Sequence, residues 1–357
     1  MKKITSLMIG IIVVILILLV GAQQLNRSTG MAGAKVVNIY NWGDYIDPDL
    51  IKKFEKQSGY KVNYDTFDSN EAMYTKIQQG GTAYDIAIPS EYMIQKMIKA
   101  KLVEPLDHTK ITNLAAIHPK FLNLSFDPHN TYSVPYFWGT LGIVYNDKVV
   151  KASDMTSWND LWRPELKDNS MLIDGAREII GMGLNSQGHS LNSTNSNELN
   201  QAMAKLRKLT PNVKAIVADE IKMYMENEES AVAVTFSGEA ADMMSKNSHL
   251  HYVIPKEGTN LWFDNIVIPK TSKNKKGAYE FINFMLEPKN AAQNAEYIGY
   301  ATPNEQAMKL LPKEVTQDPQ FYPSEQLLSK MEVYKDLGAT YLGIYNDLFL
   351  EFKMYRK

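Results

Sequence analysis

Asn41-Trp42-Gly43-Asp44-Tyr45 sets a Trp, an acid and a Tyr within four residues. The run follows an apolar, β-rich stretch and precedes a helix start at Asp47-Pro48. It therefore stands at the carboxyl end of a strand, where open α/β sheets bind their ligands. Aromatic faces beside a carboxylate are suited to holding an organic cation.

The bulk numbers narrow the classes. A chain of 357 residues suits two domains better than one small core. It is 45% hydrophobic and 22% charged, as ordinary globular proteins are, and its net charge of −2 offers no footprint for nucleic acid. The 20 Tyr and 5 Trp supply many flat amphipathic surfaces. The absence of cysteine removes disulfides, thiolate metal sites and cysteine nucleophiles together. At the N-terminus, Lys2 and Lys3 precede an apolar run from Ile4 to Val20, and small residues follow at Gly21-Ala22. This is the pattern of an export signal over residues 1–22, and it is short for a membrane span. The chain is expected to be exported, then either released by cleavage after Ala22 or held by an uncleaved helix. Ala22 stands where a lipoprotein signal would have its lipidated Cys. Residues 23–35 read as a polar linker.

The elements that must position the opening stretch alternate regularly. Val36 to Tyr40 is a strand, Asp47-Pro48 caps a helix that ends at Gly59, and Lys61 to Tyr64 is the next strand. Asp68-Ser69-Asn70-Glu71 reads as a capping box with Asp68 as the cap, and Tyr84 to Ile88 is a third strand. Ser90 can cap the helix after it. This β-α-β-α-β order implies a parallel sheet with crossover helices. A second α/β run spans about residues 158–255, with strands at Met171-Leu172-Ile173 and Ala231 to Val234. Trp262 to Pro269 reads as a further crossing strand. The last third is helical, with Thr302 to Glu305 as another capping box.

Several uncommon motifs fall in a fixed order: Tyr40-Asn41-Trp42, Asp68 to Tyr74, Tyr84-Asp85 with Pro89-Ser90, and Ser133 to Tyr136. Ser157-Trp158 with Leu161-Trp162, Ala176-Arg177-Glu178, and Ile298-Gly299-Tyr300 with Thr302-Pro303-Asn304 continue the series. Together they resemble the spermidine/putrescine-binding proteins of bacterial polyamine ABC importers, over nearly everything after residue 36. The resemblance implies the two-lobe type II solute-binding fold: an α/β architecture of mixed central sheets, helices on both faces and a ligand cleft at the hinge. Lobe 1 would take residues 36–139 and 262–308, and lobe 2 residues 143–260 and 312–357.

A polyamine is an apolar methylene chain bearing ammonium groups. Carboxylates must neutralise its buried charges, and aromatic walls must cover the methylenes. The resemblance carries ligand-binding roles onto Trp42, Asp44 and Tyr45 of the opening stretch, and onto Ser90 and Tyr92. It carries further roles onto Glu178, Phe236, Trp262, Asp264 and Tyr300. Asp264 and Glu178 would face each other from opposite lobes. Three positions depart from the family pattern. Gly175 replaces a second acid, Phe236 replaces a Trp, and Tyr334 replaces a Gln. Asp174 is adjacent, and capping the helix that holds Glu178 is its local alternative.

The resemblance implies a monomeric receptor that passes a polyamine, spermidine or putrescine, to the transmembrane subunits of an ABC permease. It has no catalytic residue, metal or cofactor. Rival readings are a receptor for another small solute, a secreted hydrolase using the cleft acids, and a sensor that keeps the fold without a permease. Trp158 and Trp162 are read as structural. His249 and His251 form a close pair with no third metal ligand in sight.

Overall fold

The computed structural model describes residues 35–355. The export segment expected at residues 1–22, and the linker apart from Lys35, lie outside the described residues. No helix among the described residues is long and apolar enough to cross a membrane.

The first strand, β1 (Val36–Trp42), is buried along five of its seven residues because it runs in parallel between β2 (Lys61–Phe67) and β3 (Ile86–Ala87). Its connection to β2 is the helix α1 (Pro48–Ser58). Asp47 caps α1 by accepting from Asp49 N–H at 2.8 Å, and Gly59 ends it at φ 73°. The next helix, α2 (Asn70–Gln79), starts one residue later than the sequence suggests. Ser69, not Asp68, accepts from Ala72 N–H, and Glu71 does not reach back. Glu71 accepts instead from the Tyr92 hydroxyl at 3.3 Å.

Helix α3 (Glu91–Lys99) follows β3. After it the chain reaches β4 (Ser133–Asn146), fourteen residues buried throughout. The first half of β4, from Ser133 to Thr140, pairs antiparallel with β9 (Leu261–Val267). Its second half, from Leu141 to Asn146, pairs with β7 (Val232–Phe236) and β8 (Leu250–Val253). The strands β5 (Ser170–Ile173) and β6 (Val213–Val217) complete the order β2-β1-β3-β9-β4-β7-β5-β6. Between them lie α4 (Ala176–Asn185), α5 (Ser196–Arg207), α6 (Glu220–Glu226) and α7 (Ser237–Lys246). Beyond β9 come α8 (Lys275–Leu286), α9 (Pro288–Ile298) and, after short helical turns, α10 (Gly338–Tyr355).

The handover within β4 divides the apolar interior in two. One core gathers Val37, Ile39, Leu50, Phe54, Met73 and Phe281. The other gathers Ile143, Trp158, Met171, Ile180, Val234 and Phe352. Phe236 packs against both cores. The molecule is therefore two α/β lobes joined by shared strands, because neither group of helices can bury its apolar face without its own half of the sheet.

One local expectation is corrected here, and one holds. The Thr302–Glu305 box is replaced by a single cap, Asn304, which accepts from Ala307 N–H at 2.9 Å; Thr302 serves Asn304 N–H. Trp158 to Trp162 forms a 3-10 helix with a Ser157/Asp160 capping box. Trp158 is 1% exposed and donates to Asn185 Oδ1 and Gly258 O, and Trp162 donates to Lys205 O, so both indoles hold the second lobe together.

Candidate functional site

Asp264 lies on β9, opposite Phe137 in the first half of β4. It is 6% exposed. Tyr45 and Ser90 each donate a hydroxyl hydrogen bond to it, both at 2.7 Å. Neither donor is charged, and no cation pairs with Asp264 among the described residues. Burial raises its carboxyl to about 6, and the two hydroxyls pull it back only in part.

Ser90 reaches Asp264 because it is not used as a helix cap. It occupies the position before α3, yet its side chain accepts no hydrogen bond from that helix. Asn70 fixes the loop from behind: it accepts from Ser90 N–H at 3.1 Å and donates to Ser90 Oγ at 3.0 Å and Tyr92 Oη at 3.2 Å.

Aromatic rings surround this acid. Trp262, beside it on β9, meets Tyr300 edge-on at 5.0 Å and Phe236 at 6.0 Å. Tyr45 meets Tyr300 at 5.6 Å. Two glycines admit this packing. A Cβ on Gly139 would lie 2.4 Å from the Trp262 ring, and one on Gly238 would lie 2.2 Å from the Tyr300 ring. Trp42, at the end of β1, leans on Phe67 at 4.6 Å. The indole N–H groups of Trp42 and Trp262 are buried without a hydrogen-bond partner among the described residues. Asp44 stands apart from this group, exposed on a turn at φ 45°.

The second lobe contributes Glu178 from the first turn of α4. Burial raises its carboxyl, and Arg177 beside it acts in the opposite direction. Its field reaches Tyr92 of the first lobe and Tyr334, whose hydroxyls burial pushes well above the ordinary tyrosine value. Gly175, the cap residue of α4, makes room for this acid: a Cβ there would lie 2.2 Å from Glu178 Oε2. Asp174 does not cap the helix as the local reading allowed. It pairs with Lys353 at 2.8 Å, because α10 brings that ammonium alongside.

Two contributors, Arg177 and Glu91, were not among the sequence candidates, and a third, Tyr334, was noted only as a departure from the family pattern. Arg177 is buried, donates to Lys335 O and Asn192 Oδ1, and lies 4.3 Å from the Tyr334 ring centroid. Tyr334 is 3% exposed with its hydroxyl unpartnered among the described residues. Glu91 sits between Ser90 and Tyr92 and is fully buried. The signal for Glu91 and Arg177 was adjacency to candidates, Ser90-Glu91-Tyr92 and Arg177-Glu178. His249 and His251 both bind Asp147 at 2.9 Å, and no group of three or more potential metal ligands occurs among the described residues.

Comparison with known proteins gives one consistent picture. Residues 49–323 match the family model of the bacterial extracellular solute-binding proteins. The spermidine/putrescine-binding periplasmic protein of Salmonella typhimurium is 40% identical over 340 residues, which cover 94% of this chain and 97% of that protein. Among solved structures, a protein assigned to a spermidine/putrescine ABC transporter of Listeria monocytogenes is 61% identical, with a TM-score of 0.87 over 90% of this chain and 100% of that one. The substrate-binding protein PotD of a Streptococcus pneumoniae spermidine/putrescine ABC transporter is 58% identical, with a TM-score of 0.82 over the same shares.

Proposed function

Because the chain belongs to the bacterial extracellular solute-binding proteins, we propose that it captures polyamines, spermidine or putrescine, for an ABC importer. It is a binding protein and not an enzyme, as its relatives are. The observation that carries the ligand class is Asp264, a buried acid with no cation partner among the described residues, enclosed by Trp262, Tyr300 and Tyr45. An isolated buried charge is very unfavourable, so the site is built to be completed by a cation. The rings supply π-faces for ammonium groups and apolar cover for methylenes, about 0.5–2 kcal/mol per good contact.

In this reading Asp264 pairs with one end of the ligand and Glu178, from the other lobe, with the other. Trp42, Tyr45, Tyr92, Phe236, Trp262 and Tyr300 wall the chain, Ser90 orients Asp264, and Asp44 sits at the rim. Residues 36–139 and 262–308 form one lobe, and 143–260 and 312–357 the other. A ligand bound to acids of both lobes favours closure, because only the closed form makes both contacts. The chain acts outside the cytoplasmic membrane, as its periplasmic relatives do, and presents its loaded closed form to the permease subunits.

Calorimetric titration of ligand-stripped protein with putrescine, spermidine and spermine tests this, with glutamate and a disaccharide as controls. One-to-one binding of a polyamine alone is expected. Silence toward all three by folded protein would overturn the ligand class.

A further inference from the structure

Glu91 opens α3 between Ser90 and Tyr92, with no exposure to solvent. Its Oε2 accepts the N–H of Phe263 at 2.9 Å, between Trp262 and Asp264 on β9. Its Oε1 is also buried and has no partner among the described residues. Charged and titratable groups face it from each neighbouring element: Asp264 on β9, Arg177 on α4 and Tyr334 before α10. Arg177 does not pair with it. That guanidinium is committed to Lys335 O at 3.2 Å, Asn192 Oδ1 at 2.9 Å and the face of Tyr334. Burial outweighs the backbone N–H groups of Phe263 and of Glu91 itself and the more distant Arg177, and raises the Glu91 carboxyl to about 8. At neutral pH it is therefore an uncharged acid inside a site otherwise suited to cations.

Resting on the polyamine reading above, we infer that Glu91 is a specificity-determining residue, an acid of the cleft whose free oxygen takes an ammonium group of the ligand. On binding, the Glu91 carboxyl releases its proton to solvent, and the ammonium keeps all of its own. An ion pair forms where a neutral acid stood. Glu91 thereby supplies, from the first lobe, a counter-charge that Gly175 does not supply from the second. Burial and hydrogen bonding already fix the acid in place, so it discriminates by charge rather than by induced movement.

The test is calorimetric titration of the full chain with spermidine at pH 7 in two buffers of different ionisation enthalpy. The wild type is expected to release close to one proton per spermidine. Asp264, at about 6, is mostly ionised at that pH and adds little. Glu91→Gln is expected to abolish the release and to weaken spermidine binding about tenfold or more, the scale of one charge-assisted hydrogen bond. Tight binding with no proton release by the wild type would overturn the inference while leaving the polyamine reading intact. So would an E91Q protein that binds and releases as the wild type does. If E91Q fails to fold, Glu178→Gln keeps the test open: proton release that persists in it belongs to Glu91, and release lost with Glu178 would overturn the inference. Failure of every polyamine to bind would overturn both readings.

Discussion

Ser90 Oγ donates to Asp264 Oδ1 at 2.7 Å, and the same two residues form an antiparallel backbone bridge. The acid is thus held by main chain and side chain at once, 174 residues apart in sequence. A carboxylate fixed this way cannot swing out to water when the ligand leaves. The empty site keeps its unfavourable charge, and the ligand relieves it.

Asp264→Asn separates affinity from stability. Removing the acid is expected to weaken polyamine binding by about 2–5 kcal/mol, because a buried ammonium loses its partner. Without ligand the variant should be the more stable protein at neutral pH, by about 1–3 kcal/mol. The sign follows from the raised carboxyl. Between about 4 and about 6 the unfolded chain loses this proton while the folded chain keeps it, so wild-type stability falls as pH rises through that window. Thermal melting of both proteins at pH 3.5 and 7.5, with calorimetry at 7.5, checks this. An apo Asp264→Asn protein that melts below wild type at pH 7.5 would contradict it.

Gly238→Ala tests the packing of Tyr300. The new methyl would sit 2.2 Å from the Tyr300 ring, which must move. Overpacking of this kind destabilises by about 1–3 kcal/mol. Here the strain falls on a ring of the candidate site, so polyamine affinity is expected to drop at least fivefold or so. Affinity within error of wild type would show that Tyr300 does not line the ligand.

Gly175→Asp restores the acid of the family pattern. Its Cβ would lie 2.2 Å from Glu178 Oε2, so Glu178 must turn away from the helix start. Two neighbouring acids repel one another without ligand and attract a multiply charged ligand. The apo protein is expected to melt lower, and the affinity ratio of spermidine to putrescine is expected to rise. Parallel titrations with both polyamines read the ratio directly, and a fall would show that Gly175 does not tune charge.

Trp158→Phe removes an indole that donates to Asn185 Oδ1 at 3.1 Å and Gly258 O at 3.0 Å. Two buried acceptors lose their donor, at about 1–3 kcal/mol in total. Stability should fall and polyamine affinity should hold, measured by chemical denaturation and calorimetry on the same preparation. A large affinity loss with normal melting would return Trp158 to the candidate site.

The sequence made some features legible and hid others for identifiable reasons. The two ends of α1 were readable because Asp47, Pro48 and Gly59 each answer a local backbone demand. The α2 start was misplaced by one residue because Asp68 and Ser69 can both cap, and Asn70 is committed to the Ser90 loop. The same long-range network explains Ser90, which local rules send to its helix and the fold sends to Asp264. Trp42, Trp262 and Tyr300 stood out as large rings in motifs. Glu91 did not, because an acid in a first helical turn is ordinary there, and nothing local signals that it is buried. Arg177 and Tyr334 are joined only when α4 meets the segment before α10.

Strand β4 couples to one sheet through Thr140 and to the other from Leu141 onward, with no loop between. A hinge made from a loop behaves as a slack joint, whereas this one behaves as a torsion bar. At this crossing the lobes can turn against each other only by changing the twist of a continuous, fully buried strand. Such a joint has a rest angle and a restoring force, so the empty receptor is sprung toward one aperture instead of drifting among many. Closure of the lobes then works against an elastic load set by that strand.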